Sequence, residues 1–326
     1  MTSRPKPSAG PTGGAARPRR ARARLGALRD RLMLGLFIPL RRRRAARLHY
    51  AAILDGQTVN LHAGLPPSAG LPDRAEILVR RGRRRHAVEA RVYEGPAGEA
   101  LVDAAVLLGA EVGGVPVTTG RWRLRLRLYT GRRKRSLSLL LLEPPVPYEG
   151  PTKPMAASPV TGERHRIGRS VRGSARVVSA GVRPAVEVTK VHLTHAGVTL
   201  DFRVLGVTTD RPWAEFVASG RRLEQPVTAD ATGGSGATGV FRVDVPLDRM
   251  TPRGARPEHW DVELHDRGGR SLRLGRRLHD VRNPLRVFAM RSIAITPQGR
   301  PPLIVQPRYT PAGNLRVTCT RMSEAG

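Results

Sequence analysis

The sequence predicts an all-β protein of two tandem antiparallel β-sandwich domains behind a basic tail, and three observations carry that prediction. Apolar and polar residues alternate with a period of two over short runs, turn residues punctuate those runs, and the whole order occurs twice. The repetition is clearest between residues 121–142, RWRLRLRLYTGRRKRSLSLLLL, and residues 259–277, HWDVELHDRGGRSLRLGRR.

In the first of these stretches Trp122, Leu124, Leu126 and Leu128 alternate with Arg121, Arg123, Arg125 and Arg127, placing one set on a buried face and the other in water. Thr130, Gly131 and Arg132 then interrupt the pattern before the apolar run 137–142, so the stretch reads as a hairpin turning near Gly131. In the echo Trp260, Val262 and Leu264 face inward, His259, Asp261, Glu263 and His265 face outward, and Gly268 and Gly269 make the turn. Trp122 and Trp260 read as equivalent core tryptophans rather than sugar-stacking platforms. The inward set is repeated while the outward set changes sign.

In chain order, residues 1–24 are Pro, Gly, Ala and Arg without apolar period, a composition that cannot bury enough surface to order itself. Residues 32–40, LMLGLFIPL, form an apolar block between Arg29, Arg31 and the run Arg41, Arg42, Arg43, Arg44, too short to span a bilayer, which needs about 20 residues. It reads either as a short amphipathic helix on an anionic membrane surface or as a helix packed on the first domain. From Leu48 onward short extended runs follow one another, and the second half repeats their order. Aligning Gly56 with Gly197, Ala75 with Ala214, Trp122 with Trp260, Pro159 with Pro297 and Gly173 with Gly313 gives offsets of 141, 139, 138, 138 and 140. The expected division is a tail over 1–47, a first immunoglobulin-like sandwich over 48–181 and a second over 182–322.

Charge is the strongest compositional signal. Lys and Arg number 57 against 26 Asp and Glu, a formal net charge of +31, and the first 50 residues hold 14 Lys and Arg against the single Asp30. Candidate anion-binding residues are Arg41, Arg42, Arg43 and Arg44 in the tail, Arg80, Arg81, Arg83, Arg84 and Arg85 in RRGRRRH, Arg121, Arg123, Arg125 and Arg127 on the alternating strand, and Arg132 and Arg133 at its turn. The alternating row reads either as a solvated strand face or as an anion-binding stripe. Aromatics make up 4% of the chain, so the basic footprint lacks the stacking faces of single-strand nucleic-acid binders, and nucleic acid is not the favoured partner.

Catalytic signatures are sparse. Gly234, Gly236 and Gly239 satisfy GxGxxG spacing, but the following residues 240–245 read as a strand, where the motif requires a helix to open on a phosphate. Asp261 and Glu263 project from one strand face roughly 7 Å apart, the only candidate acid and base pair. The lone Cys319 excludes an internal disulfide and a cysteine-based zinc site and reads as a buried thiol. His192 and His195 read as turn residues, and neither a metal nor a cofactor is expected.

The closing segments carry a resemblance. TPQGRPPLIVQPRYTPAGNLRV at 296–317, with 259–277 before it and the ordered anchors Trp260, Gly299, Tyr309, Gly313 and Asn314, resembles the β-rich modules of actinobacterial cell-surface polysaccharide enzymes. These include glycosyltransferases and CDP-glycerol glycerophosphotransferases of teichoic acid assembly. The resemblance covers residues 48 to about 321 and leaves no room for the family's separate catalytic domain. It implies a noncatalytic accessory protein of envelope polysaccharide or teichoic acid assembly. Such a protein would be cytoplasmic and peripheral at the inner face of the plasma membrane, with an anionic lipid surface or anionic envelope polymer as partner, alongside a separate transferase. The alternatives are a divergent transferase, glycosyl or glycerophosphoryl, and a nonspecific nucleic-acid binder.

Overall fold

A computed structural model describes residues 44–142, 150, 152–229, 239–297 and 299–322. The described chain is all-β, with single 3-10 turns and one four-residue helix, α1 (Pro284–Val287), as its helical elements. The alternation read from the sequence explains the strands, since each buries one side-chain set and leaves the other in water. Along Gly120–Thr130, for example, Trp122, Leu124, Leu126 and Leu128 are buried while Arg121 and Arg123 are exposed.

The first sheet holds β1 (Ala45–Ile53), β2 (Thr58–Gly64), β3 (Arg74–Arg81), β4 (Arg84–Glu94), β5 (Ala100–Leu107), β6 (Gly120–Thr130), β7 (Arg133–Leu140), β8 (Arg164–Arg169) and β9 (Ala175–Ala180). Their order is β3-β4-β5-β2-β1-β7-β6-β9-β8, and a β3–β6 pairing joins the path back on itself. Seven of the strands, β3-β4-β5-β2-β1-β7-β6, therefore close into a barrel, where the sequence predicts an immunoglobulin-like sandwich. The physical reason lies in β4. Its first part pairs with β3, from Arg81↔Arg84 to Ala75↔Ala90, and its last part pairs with β5, from Arg91↔Asp103 to Glu94↔Ala100, so one long strand belongs to both layers.

The second sheet holds β10 (Ala185–Thr194), β11 (Gly197–Leu205), β12 (Trp213–Ala218), β13 (Arg221–Pro226), β14 (Thr228–Ala229), β15 (Val240–Asp244), β16 (Glu258–His265), β17 (Ser271–Arg276), β18 (Ile293–Ile295), β19 (Leu303–Tyr309) and β20 (Leu315–Arg321). Its pairings repeat those of the first: β10 pairs antiparallel with β11 and parallel with β17, as β1 does with β2 and β7. The counterpart of β4 is split into β13 on β12 and β14 on β15, and Pro226, which has no N–H to donate, ends β13 at the split.

Two apolar clusters fill the sheets, one around Trp122, Leu126 and Leu139 and one around Trp260, Phe202 and Phe216. Both tryptophans are 0% exposed, and Trp122 Nε1 donates to Thr118 O at 2.8 Å. Trp122 lies opposite Val177, and Trp260 opposite Val317. Register corrects one alignment anchor. Leu126 and Leu264 each stand four residues beyond their tryptophan, and they face Ile77 and Ala214 respectively, so Ile77 rather than Ala75 is the counterpart of Ala214.

The first strand begins three residues before the expected boundary at residue 48. Ala45, Ala46 and Arg47 already belong to β1 and pair with Ser138, Leu139 and Leu140, with both alanines buried. Arg41, Arg42, Arg43 and the apolar block 32–40 lie outside the described residues, as do Gly234 and Gly236. No helix among the described residues is long and apolar enough to cross a membrane.

Candidate anion-binding cleft

The outward face of β6 owes its character to strand register. In an antiparallel pair, directly opposite residues project to the same face about 4.5–5.5 Å apart. Arg85 lies opposite Arg80, Arg80 opposite Arg123, and Arg123 opposite Arg176, so one rung crossing β4, β3, β6 and β9 carries four arginines in succession. Like charges in that arrangement repel. Along β6 itself Arg121 and Arg125 extend the charge by about 7 Å to either side of Arg123.

A cleft of about 870 Å³ opens over this rung. Arg81 and Gly82 of the β3–β4 turn form one wall, Ser170, Val171 and Arg172 of the β8–β9 turn form the other, and Arg121, Arg123, Arg125, Ser138, Ser174 and Arg176 line the rest with Arg80 and Leu124. Seven of the lining residues are arginines and none is a carboxylate or an aromatic. Arg81 is held in place, donating to Thr118 Oγ1 at 3.0 Å and to Thr119 O. Gly120 makes room for it: its φ is +139°, and a Cβ there would stand 2.7 Å from Arg81 Cζ. The other six cleft arginines have no hydrogen-bond or ion-pair partner among the described residues, and the buried Nε atoms of Arg125 and Arg176 have no hydrogen-bond acceptor. Buried donors left unmet are costly. An anion entering the cleft would supply the acceptors.

The cleft gathers Arg80, Arg81, Arg121, Arg123 and Arg125 from the expected set, with Arg85 on the same rung. Arg83 and Arg84 stay at the β3–β4 turn beside it, exposed. Arg127, though part of the same alternation, is neutralised. It faces Glu76 and reaches Glu76 Oε2 at 3.4 Å, while the Tyr129 hydroxyl donates to the same oxygen at 2.7 Å. Arg132 and Arg133 lie at the far end of β6, roughly 35 Å along the strand from Arg121. Arg44 is exposed just before Ala45, which pairs with the cleft residue Ser138.

Two cleft arginines were not visible as candidates: Arg172 and Arg176, from the closing β8–β9 hairpin. The signal that exposes Arg176 is the repeat itself. Its counterpart at the offset of Gly173 and Gly313 is Arg316, which faces Asp261 across β16–β20 and binds it at 2.7 Å. Arg123 occupies the position of Asp261, so the first sheet carries an arginine where the second carries the acid.

The same comparison accounts for the candidate catalytic pair. Asp261 is paired with Arg316, while Glu263 accepts from Ser271 Oγ at 2.7 Å and from Arg273 Nε at 3.3 Å. The Ser271 hydrogen bond, followed by the arginine, holds the Glu263 carboxyl below its ordinary range. Glu215, Glu263 and His265 form a group whose ligating atoms lie within 4.8 Å of one another, but Arg222 already binds Glu215 at 3.1 Å. His192 Nε2 pairs with Asp201 at 2.6 Å, and Cys319 is buried, its thiol pushed up to about 12 by burial.

No family model matches the chain, and no curated protein matches it. Among solved structures it is similar to S. aureus TarS, with a TM-score of 0.32 and 7% identity over 71% of this chain and 39% of that one. A fragment of S. aureus TarS aligns with a TM-score of 0.31 and 7% identity, over 71% of this chain and 62% of the fragment. A marsupial T cell receptor aligns with a TM-score of 0.19 and 8% identity, over 71% and 96%. The chain thus spans less than two thirds of the length of either TarS structure. Overlaps this slight assign neither a family nor a function.

Proposed function

We propose that this chain is a noncatalytic accessory protein of envelope-polymer assembly that binds an anionic polymer in the arginine cleft of its first sheet. The observation that carries the reading is the rung Arg85–Arg80–Arg123–Arg176, with six cleft arginines unpartnered among the described residues. A recessed channel between two hairpin tips suits a linear polymer better than a flat bilayer. The absence of aromatic lining favours a polymer without bases to stack. The matching pairings of the two sheets support two tandem β-sandwich modules, the first closed by its shared strand, with the junction in the segment after β9. The envelope setting comes from the resemblance at the closing segments, and the basic tail would hold the protein at an anionic membrane face. A transferase that relied on Asp261 and Glu263 would have to release both from their arginine partners.

The test is binding of the full chain to polyol phosphate polymer, anionic vesicles and duplex DNA, measured side by side with Arg123→Ala and Arg176→Ala variants. Polymer binding weakened in both variants is the expected result. Undiminished binding in both would remove the cleft from the reading, and tighter binding to DNA than to polymer would replace it with the nucleic-acid alternative.

A further inference from the structure

The cleft shares a wall with a second pocket. This space, of about 280 Å³, is lined by Arg121, Arg166, Gly168, Arg169, Val171 and Arg176, with Ser170 and Val178. Arg121, Ser170, Val171 and Arg176 line the cleft as well, so the two spaces meet along one boundary. Like the cleft, the pocket has neither a carboxylate nor an aromatic in its lining. Arg166 has no hydrogen-bond or ion-pair partner among the described residues, while Arg169 is anchored, donating to Leu142 O at 3.0 Å.

Register explains why the pocket exists. Arg123 faces Arg176, and Arg176 faces Gly168, so the arginine rung runs out at a residue with no side chain. A Cβ at Gly168 would meet nothing nearer than Val178 Cγ2 at 3.4 Å, so the floor of the pocket is open because a side chain is missing there. On the neighbouring rung Arg166 faces Val178, and Val178 faces Arg121. The second sheet differs at these positions. At the offset that pairs Arg176 with Arg316, Gly168 corresponds to Arg308, which faces Arg316, and Arg166 corresponds to Gln306, which faces Thr318. His259, the counterpart of Arg121, meets Thr318 Oγ1 at 3.1 Å. Where the second sheet fills the floor and joins the rung by a neutral side-chain contact, the first leaves a space and sets an arginine on either side of Val178.

We propose that the second pocket is a further anion subsite, and that one linear polyanion occupies it together with the cleft, crossing β3, β6, β9 and β8 rather than running along a strand. The proposal rests on the cleft being the polymer site. From Arg80 on β3 to Arg166 on β8 is three strand spacings, about 14 Å, so a single phosphate fills one space and not both. Arg121 and Arg176 stand at the boundary and would contact the ligand on either side of it.

The experiment titrates the full chain with the polyol phosphate polymer and with its shortest fragment, a single repeat carrying a phosphate at each end, for the parent, Arg166→Ala, Gly168→Leu and Arg123→Ala. Arg166→Ala should weaken polymer binding about tenfold and lower the slope of log affinity against log salt by about 1. Gly168→Leu should weaken it too by filling the floor, neither change should alter affinity for the fragment, and Arg123→Ala should weaken both ligands. Circular dichroism is recorded alongside, and Arg166→Ala, which only shortens an exposed side chain, decides the matter if Gly168→Leu fails to fold. Polymer binding undiminished in Arg166→Ala but weakened in Arg123→Ala overturns the second subsite and leaves the cleft. Polymer binding undiminished in all three variants removes the cleft and the subsite with it. A fragment as sensitive to Arg166→Ala as the polymer is would also overturn the proposal, because a short ligand would then sit in the second pocket alone.

Discussion

Arg123 and Arg176 face each other across β6 and β9, whereas Asp261 and Arg316, at the corresponding positions of β16 and β20, form an ion pair of 2.7 Å. In the second sheet opposite charges meet on this rung. The first sheet holds like charges at the same place and adds Arg80 and Arg85 beyond them. Repulsion is retained in one copy and cancelled in the other, and the proposed anionic ligand would relieve it.

The first prediction follows directly. Arg123→Asp should recreate the Asp261–Arg316 arrangement, so the variant is expected to gain about 0.5–1 kcal/mol in urea unfolding while losing polymer affinity. A variant that binds polymer as the parent does would separate the rung from function.

Burial of the two tryptophans predicts a parallel response in the two sheets. Trp122→Ala and Trp260→Ala each remove a fully buried indole and should cost about 3–5 kcal/mol, read from denaturant midpoints. A sugar-stacking tryptophan would instead lose binding with little loss of stability.

Asp201 gives the pH prediction. Hydrogen bonding from Arg242, with His192 beside it, lowers its carboxyl from 3.8 to about 2. A depressed carboxyl stabilises the fold above its unfolded value and loses that contribution as the pH falls through the folded one. The contribution, on the order of 1 kcal/mol, should therefore be complete above pH 4 and fade toward pH 2. Asp201→Asn should flatten the acid limb of the stability profile in that window; an unchanged limb would discount the pair.

Much of this fold was legible because burial has a period of two. Trp122 and Trp260 declared themselves inward, and the repeat marked β16 as the counterpart of β6. What was not legible is which strands become neighbours. Arg123 and Arg127 sit in one alternating pattern, and only register reveals that Glu76 neutralises the second while Arg80 and Arg176 crowd the first. Arg172 and Arg176 join the cleft from a hairpin some fifty residues further along, a closure that local pattern cannot encode. Barrel closure was hidden for the same reason, since β4 keeps its alternation while changing partner from β3 to β5.

Salt dependence is the most direct measure of the cleft. Six unpartnered arginines contacting an anionic polymer of nucleic-acid-like charge density would release about as many counterions, so affinity should fall roughly a thousandfold between 50 and 200 mM salt. Each arginine removed should reduce the slope of log affinity against log salt by about 1, and Arg176→Ala is the informative case because its Nε is buried without an acceptor. Arg132→Ala, at the far end of β6, should leave the slope unchanged if the polymer occupies the cleft alone. Equal slopes for parent and Arg176→Ala, with a reduced slope for Arg132→Ala, would move the binding surface from the cleft to the opposite hairpin tip.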